Sequence, residues 1–292
     1  MERELWTMLS RAIDDVSRHF HDTAYHQHTT GRIVRVYLWA VLHDRPVRWA
    51  CHPQHWHPAS RPTHLPNQST MSRRTRTERF DRFLHKLGRR LAGRFQPVLW
   101  LLKLIDGKPL PVPAHSTDPE ATWGRGVGGL QKGYKLHAVY DGTPMPVAWE
   151  VQPLGVSETG VAQRLIPQLP GTGYLVGDAN YDDSTLFALA RRASHRLVAP
   201  RRKPKTGLAK RRHDTDRLKS IALLEAGPWA GQWFGWSLMK LRKRIETSFG
   251  HMVSFFAGLK HLPPWVRRTQ RVRPYVHAKL LINAARIRRI LA

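Results

Sequence analysis

Three acidic residues, far apart in the chain, have the types and local settings that suit the binding of divalent cations. In GYLVGDANYDD, Asp178 follows the apolar run at 174–176, where a buried strand is expected to end. Asp106 ends the apolar segment VLWLLKLID in the same way, and Glu246 lies in KLRKRIETSFG, within a predicted amphipathic helix. Mg²⁺ prefers carboxylate oxygens, and two such cations held close together can activate water towards a phosphodiester and stabilise the leaving oxygen. We therefore predict a two-metal site for phosphodiester cleavage at these carboxylates.

Each of these acidic residues also has a purely structural interpretation. Asp106 with Gly107 could form a simple turn after the strand. Glu246 could pair with Arg242, four residues earlier, on a helix surface. The last two acids of GDANYDD are best explained as caps of the helix that follows them. The metal-site interpretation is favoured because the three carboxylates lie on three different predicted elements. These elements follow one another along the chain in the order that a known α/β fold requires.

The elements that must position these side chains follow from the hydrophobic pattern. Short apolar or alternating runs predict strands at 98–106, 134–141, 145–151, 174–178 and 196–200. Helices are predicted at 158–169, at 183–194, from 238 onward, and at 275–291. This order is typical of a ribonuclease-H-like α/β fold, in which a mixed sheet is flanked by helices. We assign residues 96–292 to this domain, with a basic loop or insertion near 201–237.

Residues 1–95 are predicted to form a separate helical domain. Apolar residues repeat with the helical period in RIVRVYLWAV and in TERFDRFLHKLGRRL. Between these segments Asn67 or Ser69 could cap a short helix that presents Arg73, Arg74 and Arg76. Two short helices joined by a polar turn, the second rich in arginine, suit a helix-turn-helix DNA-binding domain. A basic, solvated helical face explains the pattern equally well, so both interpretations stay open.

The charge of the whole chain indicates a polyanionic partner. The 292 residues include 48 Lys and Arg against 21 Asp and Glu, which gives a formal net charge of +27. Nucleic acid is the commonest polyanion that such a basic chain binds. The basic residues are spread over the chain, without one amphipathic helix that could lie on lipid, so no membrane partner is expected. One cysteine, Cys51, and the absence of a secretory pattern in MERELWTM predict a cytoplasmic location.

Three further groups of residues are candidate binding elements. The basic segment at 201–217 is predicted to contact DNA phosphates, rather than only solvent, through Arg201, Arg202, Lys203, Lys210, Arg211 and Arg212. A second group matches no familiar zinc-finger spacing and is assigned to a structural or DNA-facing loop; it comprises Cys51, His52, His55 and His57. A third is assigned to the core, with stacking on unpaired bases as the alternative, and comprises Trp229, Trp233 and Trp236.

Four stretches of the chain are informative when taken together: IDGKPLPV, WGRGVGGLQKGYKLH, GDANYDD and LRKRIETSFG. They resemble the catalytic domain of DDE-type bacterial insertion-sequence transposases, and the similarity extends over residues 97–290. The segments RWACHPQHWHP and LPNQSTMSRR resemble the DNA-binding part of the same group. The resemblance implies a ribonuclease-H-like catalytic domain that follows DNA-binding helices.

The resemblance also implies a role for each matching position. The metal-binding triad, which would hold two Mg²⁺ or Mn²⁺ ions per active site, corresponds to Asp106, Asp178 and Glu246. Arg242 matches an arginine that contacts DNA phosphate near the site, and Tyr181 with Asp182 match a D-x-x-Y-D run. His137 could approach the metals from a neighbouring strand, although packing without a catalytic role is the preferred interpretation.

The function implied by the resemblance is transposition of DNA. Residues 1–95 would bind the terminal inverted repeats, and the catalytic domain would nick DNA and join the freed 3′-hydroxyl to target DNA. A homodimer on paired ends, in the bacterial cytoplasm at the nucleoid, is expected on the same ground. Met239 and Val253 replace a tyrosine and a lysine of the group, which indicates different end recognition or another branch. A DNA-binding regulator without catalysis, or a decayed element, and a cellular nuclease of the same fold remain alternatives.

Overall fold

The computed structural model describes residues 2–22, 27–93, 100–126, 128–203, 208, 214–225, 230–254 and 258–290. The chain divides into two compact units. The helical unit combines Met1–Phe95 with His251–Ala292, and the α/β unit comprises Gln96–Gly250. We expected one domain from residue 96 to the last residue, and the structure instead groups the residues from His251 onward with the N-terminal helices.

The described elements follow one another in this order. The first helices are α1 (Glu2–Arg18), α2 (Thr30–Leu42), α3 (Val47–Ala50), α4 (Gln68–Arg74) and α5 (Glu78–Ala92). Strands β1 (Leu102–Pro111), β2 (Thr122–Gly126), β3 (Gly129–Tyr140) and β4 (Ala148–Pro153) come next. They are followed by α6 (Glu158–Leu165), β5 (Gly173–Val176), α7 (Ser184–Arg192) and β6 (His195–Val198). The last elements are α8 (Thr215–Glu225), α9 (Ala230–Val253) and α10 (Thr269–Ile290).

Helix α10 belongs to the helical unit because nearly all of its middle is buried. Every residue from Tyr275 to Ala285 is buried, and a helix that is buried all round must lie inside a core. It packs against α1, α2 and α5. The one ammonium group in this stretch, that of Lys279, donates to Val41 O at 3.0 Å and pairs with Asp44 at 2.5 Å. These partners satisfy a charge that burial would otherwise make costly.

Helix α4 forms with one of the two predicted caps, and α5 forms where the apolar period predicts it, with a cap of its own. The Asn67 side chain accepts a hydrogen bond from Thr70 N at 2.8 Å, and the Thr77 side chain accepts one from Phe80 N at 3.3 Å. The apolar face predicted for α5 is buried, and it consists of Phe80, Phe83, Leu84, Leu87 and Leu91. The local elements expected of a helix-turn-helix are therefore present, and their binding to DNA stays a prediction.

The α/β unit contains a mixed sheet with the strand order β2-β3-β1-β5-β6, and β4 also pairs with β3. Strands β2, β3, β1 and β4 pair antiparallel, whereas β1 with β5 and β5 with β6 pair parallel. One face packs on α6 and α7 through a core that includes Ile105, Val139, Val161, Leu175 and Phe187. A mixed sheet flanked by helices fits the predicted ribonuclease-H-like fold.

The structure corrects three details of the predicted elements. Strand β1 does not end at Asp106 but continues to Pro111, because the whole segment pairs with β3. Strand β2 and helix α8 were missed, since the first is glycine-rich and the second lies in a basic region assigned to a loop.

Among the described residues, no helix is both long and apolar enough to span a bilayer.

Candidate active site

The sheet register places Asp106 and Asp178 side by side. In the parallel pair, Leu102 is opposite Tyr174 and Leu104 is opposite Val176. Strand β5 ends at Val176, and Asp178 follows two residues later, where continuing the same offset brings it close to Asp106. The charge of Asp178 acts on Asp106, in agreement with this proximity. Because side chains alternate along a strand, the Asp106 carboxylate lies on the same face of β1 as Leu104. Adjacent strands lie about 4.8 Å apart, so the fold brings together two carboxylates that are far apart in the sequence of the α/β unit.

The two carboxylates carry the electrostatic signature of crowded, partly buried acids. Burial is the main cause that raises the pKa of Asp106 to about 6; the charges of Asp178 and Glu158 add to it, whereas the Gly107 N–H and Arg242 oppose it. Burial also raises the pKa of Asp178, with Glu158 acting in the same direction. Each has a backbone partner, since Gly107 N donates to Asp106 at 2.7 Å and Asn180 N donates to Asp178 at 2.8 Å.

Helix α9 brings the third predicted acid and its arginine to the same face of the sheet. Tyr140 and Phe249 meet edge to face with centroids 5.9 Å apart. The Arg242 guanidinium lies 3.7 Å from Asp106 Oδ2 and 3.1 Å from Glu246 Oε1. The carboxylate oxygens of these three acids do not all lie within 4.8 Å of one another. Within the described residues, a different group of side chains meets this spacing. Arg242 therefore links Asp106 to Glu246, which keeps more than half of its side-chain surface exposed.

Neighbouring residues in the segment GDANYDD have different structural roles. Tyr181 is buried, and within the described part of the chain its hydroxyl has no hydrogen-bond partner. Asp182 accepts hydrogen bonds from Arg217 Nε at 2.6 Å and Nη2 at 2.8 Å, and its own exposure is only 3%. The predicted capping role is therefore confirmed for Asp183, which accepts from Thr185 N and Leu186 N, and is wrong for Asp182.

A fourth acid, Glu158, was missed by the sequence analysis. It opens helix α6, and Lys135 Nζ donates to its Oε1 at 2.6 Å with both side chains largely buried. A methyl group added to Gly107 would lie 3.4 Å from Glu158 Oε1, so this ion pair borders the strand position next to Asp106. Lys135 was visible in the KGYKLH stretch, but nothing in the SETG sequence at 157–160 marks Glu158.

His137 lies on the other face of the sheet from Asp106. In the β1–β3 ladder Asp106 is opposite Ala138, and His137 is opposite Gly107, so alternation separates the two side chains. Burial lowers the pKa of His137 to about 4, which keeps the imidazole neutral. Within the described residues neither of its ring nitrogens has a hydrogen-bond partner. This placement favours the packing interpretation of His137 and gives no support to its approach to the metals.

The predicted DNA-contacting arginines and lysines differ in their surroundings. Arg201 pairs with Glu225 at 2.5 Å, and Arg202 donates to Asn180 O at 2.7 Å while its side chain stays exposed. Lys203 is exposed. Lys210, Arg211 and Arg212 lie outside the described residues.

In the helical unit, Arg73 and Arg76 are exposed, whereas Arg74 is buried. Arg74 donates to His28 O at 3.0 Å and to Thr30 Oγ1 at 3.1 Å. Its guanidinium therefore holds the helices of its own unit together, which does not fit the DNA-contacting role that we predicted for it.

The tryptophans of α9 also differ from the prediction. Trp233 is 69% exposed and Trp236 is 53% exposed, so their assignment to the core is wrong. Trp229 lies outside the described residues. The two exposed indole rings leave stacking on bases as the remaining interpretation.

The donor set at the candidate site is suited to a hard divalent cation. Asp106, Asp178 and Glu246 offer carboxylate oxygens, the ligand type that Mg²⁺ and Mn²⁺ prefer. The raised pKa values of Asp106 and Asp178 show that their environment disfavours negative charge without a further cation. A bound cation would relieve this penalty.

Comparison with known proteins identifies the family of the chain. Residues 102–264 match the family model of the transposase DDE domain. The match begins at the first residue of β1 and includes all three predicted acids. No curated protein and no solved structure matches the chain. Proteins with this domain are nuclease-type enzymes of DNA transposition and generally use divalent metal ions. Because the match covers more than half of the sequence, the chain belongs to the family of DDE-domain transposases.

Proposed function

We propose that this transposase binds the ends of its transposon, cleaves them by metal-dependent hydrolysis and joins the freed 3′-hydroxyl to target DNA. The observation that carries the proposal is the proximity of Asp106 on β1 to Asp178 just beyond the end of β5, with raised pKa values and with Arg242 and Glu246 supplied by α9. Two neighbouring, partly buried acids in such a basic chain are explained if their carboxylates bind divalent cations.

Asp106, Asp178 and Glu246 would hold two divalent cations, Mg²⁺ or Mn²⁺, which supply an activated water molecule and stabilise the leaving oxygen. The residues of the chain have separate tasks. Asp106 provides a ligand on β1 and Asp178 one just beyond the end of β5, and backbone N–H groups orient one oxygen of each. Arg242 balances the charge of Asp106 and can also contact a DNA phosphate, because an arginine guanidinium binds phosphate oxygens well.

DNA binding is proposed for the helical unit. Arg73 and Arg76 are exposed at the end of α4 and just after it. Each phosphate contact that is lost should lower the salt dependence of binding, with a change of about 0.9 in the slope of log K against log salt. Replacing Arg73 and Arg76 with glutamine should therefore weaken binding and flatten this slope, whereas loss of binding without a change in slope would contradict phosphate contact. A homodimer on paired ends remains part of the proposal.

The catalytic proposal is tested with Asp178→Asn, which keeps the size of the side chain and an oxygen that can accept from Asn180 N. The substrate is a supercoiled plasmid that carries the DNA flanking the gene, incubated with Mg²⁺ at several protein concentrations. Asp183→Asn is the matched control, because Asp183 lies in the same run but only caps α7. We expect Asp178→Asn to bind DNA and lose nicking, and the control to retain both. Full nicking by Asp178→Asn would contradict the proposal.

Strand transfer needs a second assay. An oligonucleotide with the transposon end and a labelled 3′-hydroxyl strand should become joined to the plasmid in the presence of Mg²⁺. Cleavage without joined products would indicate a nuclease of the same fold, and DNA binding without cleavage in the wild type would indicate a regulator.

A further inference from the structure

A second group of potential metal ligands lies in the helical unit and, unlike the carboxylates of the α/β unit, includes two histidines. It consists of Asp81 and His85 on α5 and His277 on α10. One ligand atom from each of the three residues lies within 4.8 Å of the other two. Within the described residues, this is the group of acids, histidines and cysteines that meets this spacing.

The local structure explains why these side chains converge. Asp81 and His85 are four residues apart on one helix, so they lie on the same face one turn apart. His85 Nε2 is 3.6 Å from Asp81 Oδ2. His277 comes from the buried middle of α10, and its ring meets that of His85 with centroids 4.7 Å apart. Helices α5 and α10 pack directly against each other, so the group joins two segments that are distant in sequence.

We propose that Asp81, His85 and His277 form a binding site for Zn²⁺ or a similar first-row transition metal. Two imidazoles and one carboxylate are a ligand set that suits Zn²⁺, whereas Mg²⁺ prefers oxygen alone. Tetrahedral Zn²⁺ with bonds of about 2.0–2.1 Å holds its ligand atoms about 3.3 Å apart. The present spacing needs side-chain adjustments of about an ångström, and the half-exposed His85 side chain can make them.

Arg273 is the competing partner of the site. Its Nη2 lies 3.3 Å from Asp81 Oδ2; the Arg273 side chain is exposed, and that of Asp81 is partly buried. An ion pair with one exposed, solvated partner contributes little, about 0–1 kcal/mol, so a metal can displace the guanidinium from one carboxylate oxygen. The proposed metal would then connect α5 to α10 and tie the C-terminal helix to the N-terminal part of its unit.

The histidine-rich loop near Cys51 is a weaker candidate, although its sequence is more conspicuous. Cys51 Sγ donates to Val47 O at 3.3 Å, and His55 stacks on Trp49 with centroids 4.7 Å apart. These contacts are structural, and the described residues of the loop do not form a set of three ligands within 4.8 Å. The choice of site therefore follows from the packing of two helices and not from the density of histidines in the sequence.

The test uses the full chain, freed of metal with a chelator and returned to buffer with excess Mg²⁺. The Mg²⁺ occupies oxygen-only sites and competes poorly for imidazole. Zn²⁺ binding is measured by calorimetry, and Co²⁺ is added separately to record the visible absorption of a tetrahedral site. The variants are His85→Gln and Asp81→Asn, with His64→Gln, an exposed histidine outside the group, as the control. Circular dichroism of each metal-free variant verifies that it is folded.

We expect the wild type and His64→Gln to bind one equivalent of Zn²⁺. His85→Gln and Asp81→Asn should bind this Zn²⁺ at least about tenfold more weakly. The Co²⁺ absorption should be lost in the same two variants. Equal Zn²⁺ affinity in all four proteins, or no Zn²⁺ binding by the wild type, would overturn the proposal. These outcomes are independent of DNA cleavage, because neither variant touches the α/β unit's carboxylates.

Discussion

Replacing Asp106 with asparagine should stabilise the metal-free protein at neutral and alkaline pH. Asp106 is buried enough for its pKa to rise from the ordinary value of 3.8 to about 6. Since its folded-state pKa lies above the unfolded value, the ionised carboxylate opposes folding. The penalty is complete above about pH 6, decreases as the pH falls below that value, and vanishes below 3.8.

The size of the effect follows from the same two pKa values. Each pKa unit corresponds to about 1.4 kcal/mol, so the difference between 3.8 and about 6 sets an upper limit near 3 kcal/mol. Asparagine avoids the charge and keeps an oxygen that can accept from Gly107 N. It loses the ion pair with Arg242, whose favourable contribution is already contained in the pKa. We therefore expect Asp106→Asn to raise the free energy of unfolding by about 1–3 kcal/mol at pH 8.

Urea denaturation in the presence of a chelator measures this difference at pH 8 and at pH 4, with the shape of the transition checked for each unit. The gain should be present at pH 8 and nearly absent at pH 4. Asp183→Asn is the control, since asparagine caps a helix as well as aspartate does. Adding Mg²⁺ should stabilise the wild type by mass action and should have much less effect on Asp106→Asn. If Asp106→Asn were no more stable than the wild type at pH 8, the electrostatic reasoning would be refuted.

Three further variants test contacts around the site and in the helical unit. Lys135→Met should lower the free energy of unfolding by about 1–3 kcal/mol, because Glu158 stays buried without its partner. Adding Glu158→Gln to this variant should restore part of the loss, and urea denaturation measures both changes. Arg217→Ala should cost about 1.5–3 kcal/mol at pH 7. Because Arg217 helps to lower the pKa of Asp182, this loss should shrink as the pH falls through that lowered value, below 3.8. Arg74→Ala should lower the thermal unfolding temperature clearly, whereas alanine at the exposed neighbouring position 73 should leave it within a degree or two.

Local patterns in the sequence were sufficient wherever one element's own residues decide its structure. The apolar period of α5 predicted its buried face, and Asn67 caps α4 as expected. The alternation and apolar runs also gave the order of most strands. The end of β1 was misplaced because Gly107 and Pro109 normally interrupt strands, while their pairing with β3 extends the ladder across them. Strand length here is decided by a partner that lies some thirty residues away in the chain.

The candidate site could be predicted only in part for the same reason. Asp106 and Asp178 each follow an apolar run, and the parallel register that aligns them is a property of the assembled sheet. Glu158 has no sequence signal, because its importance comes from Lys135 on another strand and from its distance to Gly107. Arg74 was misassigned since an arginine beside exposed arginines gives no sign of the backbone carbonyl that it binds.

The role of Arg242 follows from the unequal settings of the carboxylates. Asp106 lies on β1, and Asp178 lies two residues beyond the end of β5. Burial raises the pKa of both, and the charge of Asp178 raises that of Asp106 further, whereas Glu246 on α9 is more exposed. Arg242 contacts Asp106 and Glu246 together, so it supplies positive charge between the sheet and the helix. Because the same guanidinium can bind a DNA phosphate, substrate that draws it away would leave the carboxylates with less compensation. The acids would then bind divalent cations more tightly, which would make metal binding and DNA binding mutually dependent.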